Sequence, residues 1–586
     1  MAVNIPGLAA VIVFYIIILA TGIWASRKSK REEEKCTGEK SEVSIVGGRN
    51  LSVWVGIFTM TATWVGGGYI LGTAEVVYSP TQGMAWAIAP VGYALSLFCG
   101  GLFFAKPMRQ KNFVTVMDPF QIRYGGAVTS AIFIFTMLAE VFWMACILSA
   151  LGGTMKVILD IQSYQSILIS AAVAILYTLL GGMYSVAYTD IIQLGFITVS
   201  LWLCIPFLLI NPSTMDIRLT AVNEVYQGPW LGTIDSQTVW RWLDDMFLVI
   251  LAGVCFQSYY QRVLSAASPI QAQVTCYAAA IFCFFLGIPS ILFGAAAAST
   301  DWNQTSYGLP TPYEKGEAGS ILPIALHNLC PMYISIAGIG AVAGAVMSSM
   351  DSALLSCTSM FTHNIYKRIL RNKASDRELQ FIIRLGVLVF GVIGTGLAMS
   401  ASSVYGLWLI SGEMMYTAVF PQLVCTLFIP GSNGYGAIAG LLGGTTLRVL
   451  SGEPFFHISP VIHFPGCKLI DGTYVQFFPF KTFSMVVSLL IIVAVSYLAT
   501  LFFNWGLLPE SWDIYNVKDT SSSNQNEIKM KEKANGHLEN KSSKCTNMAF
   551  SLKLCLLDQH PEVLISLLQT TLVFEAYLRN KITEDL

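Results

Sequence analysis

What this chain has little of is charge. Of its 586 residues only 12% are Asp, Glu, Lys or Arg, against 54% hydrophobic, whereas soluble domains carry about 25% charged residues. A surface so poor in charge cannot be kept in water, and the chain calls for lipid around it. What charge there is nearly cancels, 34 basic against 35 acidic side chains for a net −1. No basic domain stands out, so nothing points to nucleic acid as a partner. The 13 cysteines stand singly with no C-x-x-C pair, and the 6 histidines show no paired spacing. Neither a zinc site nor a dense disulfide framework is encoded. No phosphate loop, nucleophile elbow or His/Cys/Asp constellation occupies the apolar stretches, and His327, His363, His457 and His463 fall in different segments. An enzyme is therefore set aside, and no organic cofactor is implied.

Long apolar runs, by contrast, are abundant. The first, roughly Leu8 to Ala25, is about as long as a span requires. Its positive charge (Arg27, Lys28, Lys30, Arg31) follows the run instead of preceding it. It therefore reads as a span with an extracellular amino terminus and not as a secretory signal. Further runs at about 51–71, 83–103, 126–150, 164–181, 188–210, 238–260, 271–298, 321–357, 380–400, 402–425, 433–450 and 482–503 make an all-α membrane protein of about 13 transmembrane helices. Alternating them puts Lys106, Arg109, Lys111, Arg123, Arg262, Lys367, Arg368, Arg371, Lys373 and Arg377 on one side. That excess of Lys and Arg marks the side as cytoplasmic. The sequon Asn303-Gln304-Thr305 falls opposite, where glycosylation of Asn303 is expected. Residues 1–510 read as the transmembrane domain. Residues 511–586, rich in Ser, Asn, Lys and Glu, read as a largely disordered cytoplasmic tail.

Irregular backbone at membrane depth is tolerated only where it lines a cavity or is buried in protein, so glycine-rich interruptions point to sites. The second run contains Thr61-Ala62-Thr63-Trp64-Val65-Gly66-Gly67-Gly68-Tyr69, and the seventh contains Ala252-Gly253-Val254-Cys255-Phe256-Gln257 in a comparable place. This spacing suggests two five-helix repeats, about 51–210 and 238–425, each led by a broken helix. Two readings of Gly66–Gly68 stand: they break the helix and free carbonyls for a cation, or they permit close helix packing. The ninth run carries Ala345-Val346-Met347-Ser348-Ser349-Met350-Asp351-Ser352. A hard cation wants such oxygens, although membrane serines more commonly bond back to their own helix. A carboxylate at mid-bilayer costs about 2.5–3.5 kcal/mol, which makes Asp351 a functional candidate unless it lies near the helix end.

The second-, seventh- and ninth-span motifs together resemble the sodium:solute symporter family over about residues 5–515. Within that stretch, Thr-Trp-Val-Gly-Gly-Gly-Tyr (63–69), Gly-Thr-Ala-Glu (72–75), Phe-Phe-Ala-Lys-Pro-Met-Arg (103–109), Tyr-Ser-Val-Ala-Tyr-Thr-Asp (184–190), Tyr-Gln-Arg-Val-Leu-Ser (260–265) and Ser-Thr-Asp-Trp-Asn-Gln-Thr (299–305) are similar to its choline-carrying members. The resemblance implies a LeuT-like core, a five-plus-five inverted repeat with broken helices at the site. It implies sodium-driven, chloride-dependent import of choline or a related quaternary amine across the plasma membrane. Cholinergic presynaptic terminals and their synaptic vesicles use such a protein in making acetylcholine. The partners so implied are choline, Na+, Cl− and the lipid bilayer, with a second copy where the chain assembles as a homo-oligomer. Carried over by motif, sodium is held by carbonyls of Ala62, Val65 and Ala345 and hydroxyls of Ser348 and Ser349, with Asp351 nearby. No motif locates the chloride.

A quaternary ammonium has no N–H to donate, so aromatic faces must hold it, each contributing about 0.5–2 kcal/mol. By the same resemblance the box is Trp64, Tyr93, Trp143 and position 256. That position is Phe256 where the choline-carrying members have Trp, and Cys255 replaces a Pro. Leu71 stands for an Asn and Ile88 for a Gln. These departures leave another organic cation or small solute open as the cargo. A membrane sensor or scaffold that transports nothing is the remaining alternative, hinted at only by the divergent tail.

Overall fold

In a computed structural model of the protein the described residues are 45–159, 162–179, 183–400, 403–456, 458–470 and 472–518, with part of 12–27. All but Lys518 fall within one compact unit, Met1–Val517. The first expected span is described only in part, and the expected tail from 519 onward lies outside the described residues.

From Val53 the described chain forms a helix in two halves, α1 (Val53–Trp64) and α2 (Gly67–Tyr78). Next come α3 (Ala89–Cys99), which runs on through a π-helical turn to Gln110, then α4 (Asp118–Leu159), α5 (Ser163–Thr178) and α6 (Met183–Ile210). A second set repeats the order. Its divided helix is α7 (Val239–Gly253) and α8 (Gln257–Ser265), followed by α9 (Pro269–Ala298), the short α10 (Ile321–Leu329), α11 (Met332–Met360) and α12 (Asp376–Ser400). α13 (Val404–Met414) passes through a π-helical turn into α14 (Phe420–Phe428), and α15 (Gly434–Leu450) and α16 (Phe480–Asn504) close the bundle. A two-stranded hairpin, β1 (Lys468–Ile470) antiparallel to β2 (Thr473–Val475), lies between the last two helices.

Among the described residues, 7 helices are long and apolar enough to cross a membrane. The other expected spans fall short for physical reasons. The runs at 51–71 and 238–260 are interrupted helices, and 402–425 is jointed at the turn between α13 and α14. α5 and α15 are only 16 and 17 residues long. The run at 321–357, read above as one span, is divided. Pro331 cannot donate a backbone hydrogen bond, and it sits at the N-cap of α11, so α10 stops at Leu329 and α11 continues through a π-helical extension to Leu370.

Both readings of Gly66–Gly68 turn out to hold at once. Val65 (φ −84°, ψ 60°) and Gly66 (φ −97°, ψ −173°) leave helical geometry and end α1. Neither φ requires a glycine. Space does: a Cβ on Gly66 would overlap the Ser349 side chain, and one on Gly67 would overlap Val346. The break and the close approach to α11 are one feature.

Small residues also weld α15 to α16. Gly436, Gly440 and Gly444 recur every fourth residue, and a Cβ on any of them would overlap Ser496, Ile492 or Ser488 of α16. Overpacking such a seam costs about 1–3 kcal/mol. Gly440→Leu is therefore expected to lower the melting temperature of the detergent-solubilised protein. Leu442 of α15 is 60% exposed, and Leu442→Ala is expected to leave the melting temperature nearly unchanged.

Candidate functional site

Where the two interrupted helices meet, they and α3, α4 and α13 line a partly open chamber of about 460 Å³, a volume that includes open solvent. The four aromatic residues expected from the sequence all line it: Trp64 at the end of α1, Tyr93 on α3, Trp143 on α4 and Phe256 in the break between α7 and α8. Trp408 on α13 is a fifth, which the sequence reading missed. The rings form two groups. Trp64 meets Tyr93 edge-on with centroids 4.5 Å apart, and Trp408 meets Tyr93 at 5.5 Å and 66°. The Trp408 indole N–H donates to the Tyr93 hydroxyl. Trp143 and Phe256 face each other at 5.5 Å and 63°.

Local backbone explains these positions. Phe256 lies outside both half-helices in an extended conformation (φ −69°, ψ 136°), which turns its ring away from the helix axis into the chamber. Gly253, one turn earlier, leaves the space that the far edge of the Trp64 indole fills. Tyr69, stacked on Tyr93 at 5.5 Å, donates to the carbonyl of Cys283 at 2.7 Å and backs the wall. Thr63, Ser258 and Ser411 bring hydroxyls to the lining, and none of the described lining residues is charged. Leu71 and Ile88 are buried in the core and, like Cys255, are absent from the lining. Of the four departures, only Phe256 faces the chamber.

The expected cation ligands gather beside it. The break ends the i→i−4 ladder after Val65 N–H donates to Thr61 O at 2.8 Å, which leaves the carbonyls that follow Thr61 without helical donors. Ser349 Oγ donates to one of them, Thr63 O, at 3.2 Å, and the carbonyl of Ala345 also faces the break. Ala62, Val65, Ala345, Ser348 and Ser349 are all buried. The two serines diverge, however. Ser348 Oγ donates to Asp190 Oδ1 of α6 at 2.5 Å. Asp351, also buried, accepts from Thr178 of α5 at 2.5 Å. Asn303 is exposed in a short turn after α9.

Asp190 and Arg262 are the main residues that sequence reading missed. Arg262, counted above as a loop charge, is buried on α8 and ion-paired to Asp190 Oδ2 at 3.4 Å, with both side chains wholly inaccessible. Arg262 also donates to Ser352 Oγ at 2.5 Å and to the carbonyl of Ser258 at 3.2 Å. Thr59 of α1 donates to Asp190, and Thr63 Oγ1 lies 3.2 Å from Ser352 Oγ. The cluster thus links α1, α6, α8 and α11 directly beneath the chamber. A signal was present, because both charges lie within the quoted strings 184–190 and 260–265. On the other side, Leu409 also borders a second cavity of about 1520 Å³, whose walls include Arg241, Asp244, Glu413, Glu453 and Lys481. Removing one partner of a buried ion pair costs about 3–5 kcal/mol, because it strands the other charge. Arg262→Gln is expected to depress the melting temperature sharply. Arg262→Gln with Asp190→Asn is expected to recover part of the loss, and a double-mutant cycle would measure the coupling.

The sequence pattern of the sodium:solute symporter family fits residues 44–444. A human protein named high affinity choline transporter 1 is 52% identical over 527 residues, 90% of this chain and 90% of its own. Its namesake from Torpedo marmorata is 51% identical over 518 residues, covering 88% and 89%. Among solved structures, a Na+-coupled sialic acid symporter superposes with a TM-score of 0.64, over 84% of this chain and 98% of that one. At 16% identity that likeness speaks for the fold alone. It agrees with the repeated order of interrupted and continuous helices described above. The protein is a multi-pass membrane transporter, and it belongs to the sodium:solute symporter family.

Proposed function

We propose that the protein imports choline across the plasma membrane, coupled to sodium. The observation that carries this reading is the chamber lining itself: five aromatic rings and, among the described residues, no charged side chain. A quaternary ammonium can neither donate a hydrogen bond nor form a short ion pair, and it is held best by π faces in a desolvated site. The names of the relatives at about half identity favour the same cargo. Sodium occupies the break in the first helix, on carbonyls of Ala62, Val65 and Ala345 and the hydroxyls of Ser348 and Ser349. Ser348 would turn from Asp190 toward the ion. Sodium there fixes the end of α1 that bears Trp64, so each ligand favours the arrangement that the other binds. Both are then released as one repeat rocks against the other.

The Lys- and Arg-rich ends of α3 and α11 face the cytoplasm in this proposal, the carboxyl terminus is inside, and the glycan sits at Asn303. The larger cavity beyond Leu409 is the outer approach. Chloride dependence and supply of choline for acetylcholine synthesis belong to the same reading, which rests for both on the resemblance. A second reading, transport of another organic cation, is favoured by one observation, the Phe at position 256 of the chamber wall.

Uptake of radiolabelled choline into cells expressing the chain, in sodium chloride against lithium chloride, separates the two. Sodium-dependent uptake by the wild type supports choline. An inert wild type at the cell surface, rescued by Phe256→Trp, would assign a different native cargo. In an active wild type, Phe256→Trp and Trp408→Ala should move KM in opposite directions by about 1 kcal/mol each, or roughly fivefold. Ser348→Ala with Ser349→Ala is expected to raise the sodium concentration for half-activation before it weakens choline recognition. Unchanged sodium activation in that variant would remove the sodium assignment.

A further inference from the structure

One turn of α4 touches both walls of the chamber. The carbonyl of Ala139 accepts from Ser411 Oγ of α13 at 2.8 Å, and Trp143 faces Phe256 at 5.5 Å. Between them lies Glu140, a fully buried carboxylate that the proposed transport leaves without a part. Its Oε1 accepts from the backbone N–H of Gln257 at 3.3 Å, and its Oε2 has no hydrogen-bond partner among the described residues. Gln257 is the first residue of α8, and Phe256 is its N-cap. A phenylalanine has no side-chain oxygen to hold the free N–H groups of a first helical turn, as Ser, Thr, Asn or Asp would. Glu140 brings that oxygen from another helix. The Gln257 side chain is held as well, its Oε1 accepting from Val116 N at 2.8 Å. The second break is thus anchored at the residue that follows Phe256.

We propose, resting on the choline reading given above, that Glu140 is a positioning residue for the cargo. Through the N–H of Gln257 it fixes the extended backbone at Phe256, and so holds that ring against Trp143 in the chamber wall. Glu140 and Trp143 share one turn of α4, and Gln257 and Phe256 are neighbours in the chain. The hydrogen bond and the ring contact therefore join the same two segments at two points. Two points fix the direction of the ring as well as its distance, which a single contact does not. A quaternary ammonium is attracted by the face of a ring and not by its edge, so a turn of Phe256 weakens recognition while the sodium ligands on α1 and α11 keep their places. What this role needs is reach, not charge. Glutamine keeps the length of the side chain and an accepting Oε1, whereas aspartate keeps the charge and is one methylene too short.

The test compares Glu140→Gln with Glu140→Asp in the full-length chain. In protein purified into nanodiscs, amide hydrogen exchange over 254–260 is expected to keep its wild-type rate in Glu140→Gln. In Glu140→Asp it is expected to quicken roughly tenfold, as loss of a hydrogen bond to a carboxylate implies. Exchange across the first break, 59–68, should not change in either. In cells, Glu140→Asp is expected to raise the choline KM roughly fivefold and Glu140→Gln to leave it near the wild-type value. In a Phe256→Ala background Glu140→Asp should raise KM no further, a coupling that a general loss of stability does not produce. Equal behaviour of the Gln and Asp variants, or impairment of the Gln variant alone, would overturn the assignment. Gln257→Pro removes the N–H itself and suits both the first helical position and the extended residue before it. It is expected to raise KM above that of Gln257→Ala, and this pair decides if Glu140→Asp does not reach the cell surface, equal values overturning the assignment. A wild type that carries no choline would refute the cargo alone, because the exchange measurement needs no cargo.

Discussion

The close approach of the first helix break to α11 is the constraint on which the rest of the site depends. Gly66 and Gly67 have no Cβ where Ser349 and Val346 stand, so the backbone of the break packs directly on those side chains at a depth where irregular chain survives only inside protein. Around that contact everything else takes its place. The end of α1 presents Trp64 to the chamber, Thr63 O to Ser349 and Thr63 Oγ1 to Ser352. Through Ser352 the same helix end reaches Arg262 and the second interrupted helix. One discontinuity therefore serves the aromatic wall, the candidate cation ligands and the polar floor together.

The site divides its electrostatics between two layers. The described chamber lining carries no charge and offers rings and a few hydroxyls. The layer beneath it buries Arg262 against Asp190 with three further hydroxyl partners, from Thr59, Ser348 and Ser352. Burying an ion pair is costly unless its hydrogen bonds are well satisfied, and this pair and its partners together span four helices. The arrangement is thus sensitive to relative movement of those helices, as a transporter's interior must be.

Much of this was legible in the sequence, and the remainder failed for stated physical reasons. Long apolar runs gave the spans because hydropathy over some twenty residues is a strong signal. Glycine runs gave the breaks because the exclusion of irregular backbone from lipid is stricter still. Trp64, Tyr93, Trp143 and Phe256 came from motif resemblance, since nothing in their spacing says that four separate helices turn one ring each to a common space. Trp408 lay in no quoted string and escaped. Arg262 was misread because a positive charge near a span end looks like a topogenic loop charge. Only the fold reveals that Asp190, 72 residues away, is its partner. The division of 321–357 into α10 and α11 was missed because hydropathy does not register the proline at Pro331. Leu71 and Ile88 stand where the resemblance implies Asn and Gln. Their distance from the chamber could be learned only from packing.

The fit of Trp64 against Gly253 has a consequence for how such a chain can vary over time. The indole edge occupies the volume that a side chain at 253 would fill, so the two positions behave as a single inherited character although they belong to different repeats. A larger residue at 253 displaces the ring edge and the Ser96 hydroxyl beside it, and a smaller one at 64 leaves a void that growth at 253 can help close. Across descendants of this sequence the pair should drift together or stay fixed together, and either pattern would make the meeting of the two broken helices visible in alignments alone.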